Sequence, residues 1–215
     1  MSDENKLIFV MWNSVQELKS IEQENVSIIV FSPDGSYLAT AVNDLSNQKY
    51  TVSVWDIFTR KEIIRIPHKD ILYSLAFSPD GKYLATTGRS RITHIWQIDS
   101  GQESARINHD SFVHKIVFSP VYDGGYLLAS SSAQIWKLDS MPEVTSIDYK
   151  TKNVKSINNE IICSAVFSPD CKHLATIDED NTIQIWNIIN GKELVSHIAY
   201  DMPVKLFFLA QMENI

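Results

Sequence analysis

Cysteine is nearly absent from this chain of 215 residues, which has only Cys163 and Cys171. If the chain is extended between Cys163 and Phe167, that stretch alone spans about 13 Å, and a turn then precedes Cys171. A disulfide between the two cysteines is therefore geometrically poor, and they also lack the CxxC spacing of a metal or redox site. Two unpaired thiols indicate a reducing compartment, and we expect the protein in the cytoplasm.

Long apolar runs and an excess of basic residues are also missing. The apolar run at residues 7–12 is too short, and the segment before it too acidic, for a signal peptide. No segment reaches the length of a membrane span, so we expect no membrane association. The formal net charge is −7, and lysines and arginines are scattered singly, which disfavours nucleic-acid binding.

Residue types that carry catalysis or bind metals show no recognised arrangement. The six histidines form no HExxH motif, and no serine lies in a Gly-x-Ser-x-Gly elbow. The acidic residues 178–180 lack the spacing of a calcium loop, and we interpret them as a solvated turn rather than as a cation site of oxygen ligands. We therefore expect no catalytic site, no metal site and no cofactor.

The sequence does contain a repeat. Phe-Ser-Pro occurs four times, beginning at Phe31, Phe77, Phe118 and Phe167, and Asp-Gly or a variant of it follows. Tryptophans recur in step with it, at intervals of 43, 41, 40 and 50 residues. Proline ends the preceding strand, and Asp-Gly supplies the positive-φ positions that a tight turn needs.

Short strands are predicted between these anchors. Strands at 26–31 and 72–77 end on the phenylalanine of the anchor, and another follows it at 37–40. A third strand ends at each tryptophan, as at 51–55, and a fourth follows the next turn, as at 62–66. Four short strands per unit of about 40 residues predict an all-β fold, a β-propeller of four-stranded antiparallel blades.

On these residues the chain resembles the WD-repeat family, whose units join Phe-Ser-Pro-Asp-Gly, Leu-Ala-Ser/Thr and Trp-Asp. The resemblance covers nearly the whole chain, and the combined pattern is highly specific. It implies blades arranged round an axis and a protein-binding platform as the usual role. The sequence of residues 77–86 resembles that of prokaryotic members, whose repeats often follow an NTPase, kinase or protease-like domain.

The resemblance also implies a buried polar network of His, Ser or Thr, Asp and Trp in each blade. No unit has all four members, because the aspartate position is filled only by Asp180. Partly satisfied networks stabilise less than complete ones. The residues assigned to this network are His68, His109, Asp180, Thr86, Ser130, Thr176, Trp55, Trp96, Trp136 and Trp186.

The phase of the repeat predicts a single propeller region with four full blades and a split terminal blade, about five in all. Either the ring closes on this defective blade or the chain is a fragment of a larger propeller, and we favour the fragment. Open blade edges would then allow self-association. The predicted units are 1–25 (third and fourth strands of a partial blade), 26–70, 71–111, 112–160, 161–200 and 201–215 (first strand of a partial blade).

The leading functional hypothesis is a non-catalytic protein–protein interaction scaffold, or the sensor or assembly part of a larger signalling protein. One alternative is a propeller enzyme of hydrolase type with a site in the central channel, and another is a truncated remnant without function. The predicted innermost strands carry Val, Ile, Leu, Ser and Cys rather than converging acids or histidines, which disfavours the enzyme.

Partner-binding residues are predicted on loops. The irregular segments 43–50 and 142–159 either carry specificity or are tolerated insertions. In the resembling family, partners dock on the face made by the loops between second and third strands and by the fourth-to-first connections. Aromatic and arginine residues there are the first hot-spot candidates. The predicted partner-binding residues are Lys69, Asp70, Arg89, Arg91, Asp110 and Phe112.

Overall fold

The computed structural model describes residues 6–10, 20–109, 112–120, 126–130, 135–140, 143–145, 164–177, 182–187 and 193–199. Side chains are described for 23–109, 112–120, 165–177 and 182–187. Every regular element within these ranges is a β-strand. The same part of the chain contains no helix that is long and apolar enough to cross a membrane.

The strands form four four-stranded antiparallel sheets, called blades 1 to 4, and one two-stranded sheet. The two-stranded sheet pairs β1 (Lys6–Val10) with β2 (Ser20–Glu24). Blade 1 is β3 (Val26–Phe31), β4 (Tyr37–Asp44), β5 (Lys49–Asp56) and β6 (Glu62–His68). Blade 2 is β7 (Leu72–Phe77), β8 (Tyr83–Gly88), β9 (Ile92–Gln97) and β10 (Glu103–Asn108).

Blades 3 and 4 repeat the same order. Blade 3 is β11 (Ile116–Phe118), β12 (Tyr126–Ser130), β13 (Ile135–Ser140) and β14 (Glu143–Thr145). Blade 4 is β15 (Ser164–Phe167), β16 (His173–Ile177), β17 (Thr182–Asn187) and β18 (Glu193–Ala199). Strands pair in chain order within each blade, and the first strand of each blade contacts that of the next. The predicted fold class, an all-β propeller of four-stranded antiparallel blades, is confirmed.

The Phe-Ser-Pro-Asp-Gly sequence builds the turn between the first and second strands. Ser32 Oγ donates to Asp34 Oδ1 at 2.6 Å and accepts from the Tyr37 backbone N–H at 2.8 Å. The hydroxyl of Ser32, followed by the groups of Ser36, lowers the pKa of Asp34 to about 2. Gly35 has φ 72, as the Asp-Gly pattern predicts, whereas in blade 4 the non-glycine residue Cys171 takes the left-handed conformation with φ 56.

The apolar core lies between neighbouring blades. Between blades 1 and 2 it consists of Ala39, Ala41, Val52, Val54, Ile64, Ile66, Leu72, Leu75, Phe77, Leu84 and Ile98. Between blades 2 and 3 it consists of Ala85, Ile95, Ile107, Val113 and Ile116. Blade 2 is therefore covered on both sides, which explains why its strands are apolar at successive positions.

Half of the segment predicted as an irregular loop at 43–50 is strand. β4 runs to Asp44 and β5 begins at Lys49, so only residues 45–48 form the turn. The Asp44 carboxylate closes this turn by accepting from the Asn47 backbone N–H at 3.0 Å. Apart from β14, the other predicted specificity segment, 142–159, lies outside the described residues.

Candidate functional site

Hydrogen bonds between tryptophan and threonine connect five of the predicted network residues in three blades. In each pair the indole Nε1 donates to a hydroxyl on the second strand: Trp55 to Thr40 (3.2 Å), Trp96 to Thr86 (3.0 Å) and Trp186 to Thr176 (3.1 Å). The threonines are buried, so the bond satisfies a group that would be costly to leave unpaired. Thr40 is missing from the predicted set, although it ends the same Leu-Ala-Thr sequence as the other two threonines.

His109 belongs to a second, separate chain of hydrogen bonds in blade 2. Its Nε2 lies 2.8 Å from Thr93 Oγ1, which lies 3.3 Å from Thr87 Oγ1. Thr86 and Thr87 are successive strand residues, so their side chains point to opposite faces of the blade. Trp96 and His109 therefore make their bonds on different faces, and the predicted single network is divided in two. Thr87 and Thr93 were not predicted; the signal for Thr93 is its place three residues before the tryptophan.

His68 lies between blades 1 and 2 without a hydrogen-bonded partner. Its Nε2 is buried and makes no hydrogen bond within the described part of the chain. The ring meets Trp96 edge to face, with centroids 6.1 Å apart, and lies 5.6 Å from the ring of His94. Burial, together with the proximity of His94, lowers the pKa of His68 from 6.5 to about 4, although Glu103 opposes the shift. The structure does not join His68 to the hydrogen-bonded network predicted for it.

The remaining predicted network residues fall where the side chains are not described. Ser130 ends β12 and Trp136 lies on β13, two strands described by their backbone alone. Asp180 lies outside the described residues.

Five of the six predicted partner-binding residues lie along one edge of blades 1 and 2, here called the Arg89 face. This face comprises the connections 45–48, 69–71, 89–91 and 109–115, without residues 110 and 111, which are not described. Lys69, Arg89 and Arg91 are exposed, and Asp70 is half-buried. Phe112 keeps 39% of its surface exposed. Asp110 lies outside the described residues.

Hydrogen bonds join neighbouring connections of the Arg89 face. The Arg89 backbone N–H donates to Ile71 O at 2.9 Å, and a Cβ at Gly88 would meet that oxygen at 1.9 Å, so only glycine fits there. Asn43 at the end of β4 links the blades: its Oδ1 accepts from Leu72 N–H at 2.9 Å and its Nδ2 donates to Leu72 O at 2.8 Å. Asn43 was not predicted as a linking residue, because its partner is 29 residues away in sequence.

Arg91 and Phe112 form the most clearly paired part of this face. Arg91 has φ 58, and its carbonyl accepts from the His109 backbone N–H at 2.9 Å. The guanidinium carbon lies 5.1 Å from the centroid of the Phe112 ring, which is cation–π geometry. The structure thus brings together two predicted residues that are 21 positions apart in sequence.

Within the described residues there is no group of three or more His, Cys, Asp or Glu side chains placed to hold a metal ion. Cys171 is buried, and its thiol donates to Pro120 O at 3.4 Å. Burial raises the pKa of this thiol, which keeps it protonated and a poor nucleophile.

The four-stranded blades, the Ser-Pro-Asp turns and the buried Trp–Thr pairs are those of a WD-repeat β-propeller. Two family models match the sequence. The model described as WD domain, G-beta repeat, matches residues 151–187, and the model described as eukaryotic translation initiation factor eIF2A matches residues 3–114. Because the second match covers just over half of the 215 residues, the chain belongs to the family that this model describes.

Solved structures of WD-repeat propellers share the fold. The β-propeller domain of Cps50 (Swd1) from Myceliophteria thermophila aligns with a TM-score of 0.67 and 17% identity, over 84% of this chain and 57% of that one. The RRP9 WD40 repeats align with a TM-score of 0.61 and 20% identity, over 87% of this chain and 53% of that one. The chain therefore spans little more than half the length of these structures. No curated protein matches the sequence.

Proposed function

We propose that the chain is a non-catalytic protein-interaction scaffold, and that the Arg89 face is where it binds a partner. The observation that carries this proposal is that Arg89, Arg91 and Phe112 stand exposed on connections held by backbone hydrogen bonds. Binding residues placed on a rigid scaffold lose little conformational entropy when the partner binds. Arginine and aromatic side chains are also the commonest sources of binding energy at protein interfaces.

The innermost strands support a scaffold rather than a channel enzyme. Where described, β3, β7, β11 and β15 contain no aspartate, glutamate or histidine. General acid–base catalysis needs such groups within hydrogen-bond reach of a substrate. A role as the sensor or assembly part of a larger signalling protein is consistent with a scaffold and belongs to the same proposal.

The test is site-specific photo-cross-linking in the cell that produces the chain. A photoreactive residue replaces Arg89 in one variant and Phe112 in another, and Arg60 in the control. Arg60 is also exposed in a turn, with φ 61, but it lies at the opposite edge of blade 1. We expect one defined protein to cross-link from Arg89 and Phe112 and not from Arg60. Equal yields from all three positions would refute the assignment of this face.

The family match favours a second, more specific candidate: a partner that belongs to the translation initiation machinery. The net charge of −7 favours contact with a protein component over contact with RNA. Sedimentation of the purified chain with ribosomal subunits tests this candidate. Co-sedimentation that Arg89→Ala weakens and Arg60→Ala leaves unchanged would support it, and sedimentation at the rate of the chain alone would reject it.

A further inference from the structure

Three cations of the Arg89 face, Lys69, Arg89 and Arg91, have no carboxylate partner among the described residues. Lys69, Arg89 and Arg91 are exposed, and none of them forms an ion pair within the described part of the chain. The arginines on the outer strands differ. Arg65 and Arg106 each form a two-pronged pair with the glutamate three residues earlier, with contacts of 2.6–2.7 Å. Lys69, Arg89 and Arg91 therefore differ from the paired arginines of the outer strands, and an external anion can contact them.

The acidic groups on this face are engaged in their own turns. Asp44 accepts from the backbone N–H and the side-chain amide of Asn47, at 3.0 and 2.8 Å. Asp70 Oδ1 accepts from the Ile71 backbone N–H at 2.8 Å. Each carboxylate thus orders its own connection, and neither forms an ion pair with Lys69, Arg89 or Arg91 within the described residues.

The described charges of this face sum to a positive value. They are the cations Lys69, Arg89, Arg91 and Lys115 and the carboxylate Asp70, and the charges of Asp44 and Lys49, which flank the turn at 45–48, cancel. The chain as a whole carries −7. A local positive region on an acidic protein steers an anionic partner to one place, since the rest of the surface repels it.

An apolar surface adjoins the positive charge. Phe112 exposes 39% of its surface, and the Arg91 guanidinium covers its ring at 5.1 Å. The N–H donors of a guanidinium lie in its own plane, so a guanidinium placed over a ring can still bind a carboxylate at its edge. The face thus offers a carboxylate site and an apolar contact side by side.

We propose that the Arg89 face binds a short, extended acidic segment of a partner protein. Its carboxylates contact Lys69, Arg89 and Arg91, and an apolar side chain of the segment packs against Phe112. This inference rests on the proposed scaffold function and adds the chemistry of the partner. A nucleic acid fits less well, because strong binding to a phosphate backbone needs many cations along a track, and this face has few.

The probe is a fluorescent peptide in which Glu and Asp alternate with Leu and Phe, titrated with the full chain and followed by anisotropy. Its matched control replaces every Glu and Asp with Gln and Asn. We expect binding of the acidic peptide that weakens as salt is added, and no measurable binding of the amide peptide. A labelled oligouridylate is titrated in parallel. Equal binding of the amide peptide, tighter binding of the oligouridylate or no binding of the acidic peptide would overturn the proposal.

Variants locate the binding site. Arg89→Glu should weaken binding of the acidic peptide about tenfold and Arg91→Ala about threefold, because an exposed ion pair contributes little and charge reversal adds repulsion. Arg60→Ala is the matched control for Arg91→Ala, because both arginines are exposed and have φ near 60. An equal loss of affinity in Arg60→Ala would show that the peptide responds only to the net charge of the protein. That result would overturn the assignment of the binding site to the Arg89 face.

The two proposals can fail separately. If the Arg89 cross-linker captures a protein that binds through a neutral segment, the inferred partner chemistry is wrong and the scaffold function stands. If no protein cross-links from this face, the proposed function fails, whatever the peptide does.

Discussion

Blades 1 and 2 each have a histidine at the same position of the repeat, but the ring Nε2 is hydrogen-bonded in blade 2 and unpaired in blade 1. His68 and His109 both stand nine residues before the phenylalanine of the next Phe-Ser-Pro sequence. Two further positions can be compared: the residue three positions before the tryptophan and the residue after Leu-Ala-Thr. With the histidine, these are His109, Thr93 and Thr87 in blade 2. In blade 1 they are His68, Val52 and Ala41. In blade 2 these residues form a hydrogen-bonded chain, whereas in blade 1 the imidazole Nε2 has no partner.

The difference shows that the histidine alone does not make the polar network. Val52 and Thr93 are both fully buried and nearly equal in volume, so each fits its strand. Only the threonine supplies a hydroxyl where the ring nitrogen needs one. The apolar blade-1 residues instead join the core between blades 1 and 2, where Ala41 and Val52 pack. Blade 1 therefore gains apolar contact and leaves a buried polar atom unpaired, which costs about 1–3 kcal/mol.

The largest expected effect is acid sensitivity caused by His68. Its pKa is about 4 in the folded chain and 6.5 when unfolded, so the unfolded state binds more protons between these values. Stability should therefore fall as the pH drops from about 6.5 through about 4, by about 3 kcal/mol. The groups that face His68 are His94, which lowers its pKa further, and Glu103, which raises it. Urea unfolding at several pH values measures the loss.

The variant His68→Leu isolates this contribution from the other titrating groups. It should remove most of the loss between pH 6.5 and 4, whereas His173→Gln, at a half-exposed position of blade 4, should keep it. If His68→Leu loses as much stability over this interval as the wild type, His68 is not the acid-sensitive group.

The next effect is expected when blade 2 is made to resemble blade 1. Thr93→Val keeps the shape of the side chain and removes the hydroxyl that lies between His109 Nε2 and Thr87 Oγ1. We expect the free energy of unfolding to fall by about 2 kcal/mol, because buried polar groups lose a partner. Chemical denaturation measures this, with Thr51→Val as the comparison, because Thr51 is also a buried strand residue and its hydroxyl makes no hydrogen bond within the described residues. A change of the same size in both variants would mean that the buried hydroxyl has no special role.

The reverse change should repair blade 1. Val52→Thr places a hydroxyl at the position that corresponds to Thr93, whose hydroxyl contacts the histidine of blade 2, and His68 Nε2 is unpaired in blade 1. We expect a gain of about 1 kcal/mol, the usual net value of one buried hydrogen bond. A buried Val→Thr change ordinarily destabilises, so the sign of the effect decides the matter. The double variant with His68→Leu is the control, and it should lose the gain.

The smallest effect concerns the Glu–Arg pairs on the outer strands. Arg65→Ala in blade 1 frees Glu62, and Arg106→Ala in blade 2 frees Glu103, which also lies 2.6 Å from His94 Nδ1. Exposed ion pairs contribute little, so both variants should unfold close to the wild type, with the blade-1 variant the less stable of the two because Glu103 keeps its contact with His94. High salt should abolish the difference. A difference that persists in high salt would point to packing rather than charge.

The strands and the Asp-Gly turns could be predicted because both depend on local sequence. The four-residue turn at 45–48 could not, since β4 is lengthened by bonds between Asn43 and Leu72 that form only when the two blades meet. The Arg91–Phe112 contact likewise depends on how consecutive blades are placed. The sequence predicts that both residues lie on one face, but it does not predict that the Arg91 guanidinium lies over the Phe112 ring. The sequence shows that His68 stands at the histidine position of the repeat. That its partner is missing can be predicted only by comparing the residues three positions before each tryptophan.

The turns that begin each second strand also limit enzymatic modification of the chain. Ser32, Ser78, Ser119 and Ser168 each precede a proline, the local sequence that a proline-directed kinase would recognise. Their side chains are buried, and in the first of them the hydroxyl is already bonded to an aspartate and to a backbone amide. A phosphate there would bring a charge of about −2 against that carboxylate and break the turn. Phosphorylation at these serines would therefore occur only on unfolded molecules, and it would prevent their refolding.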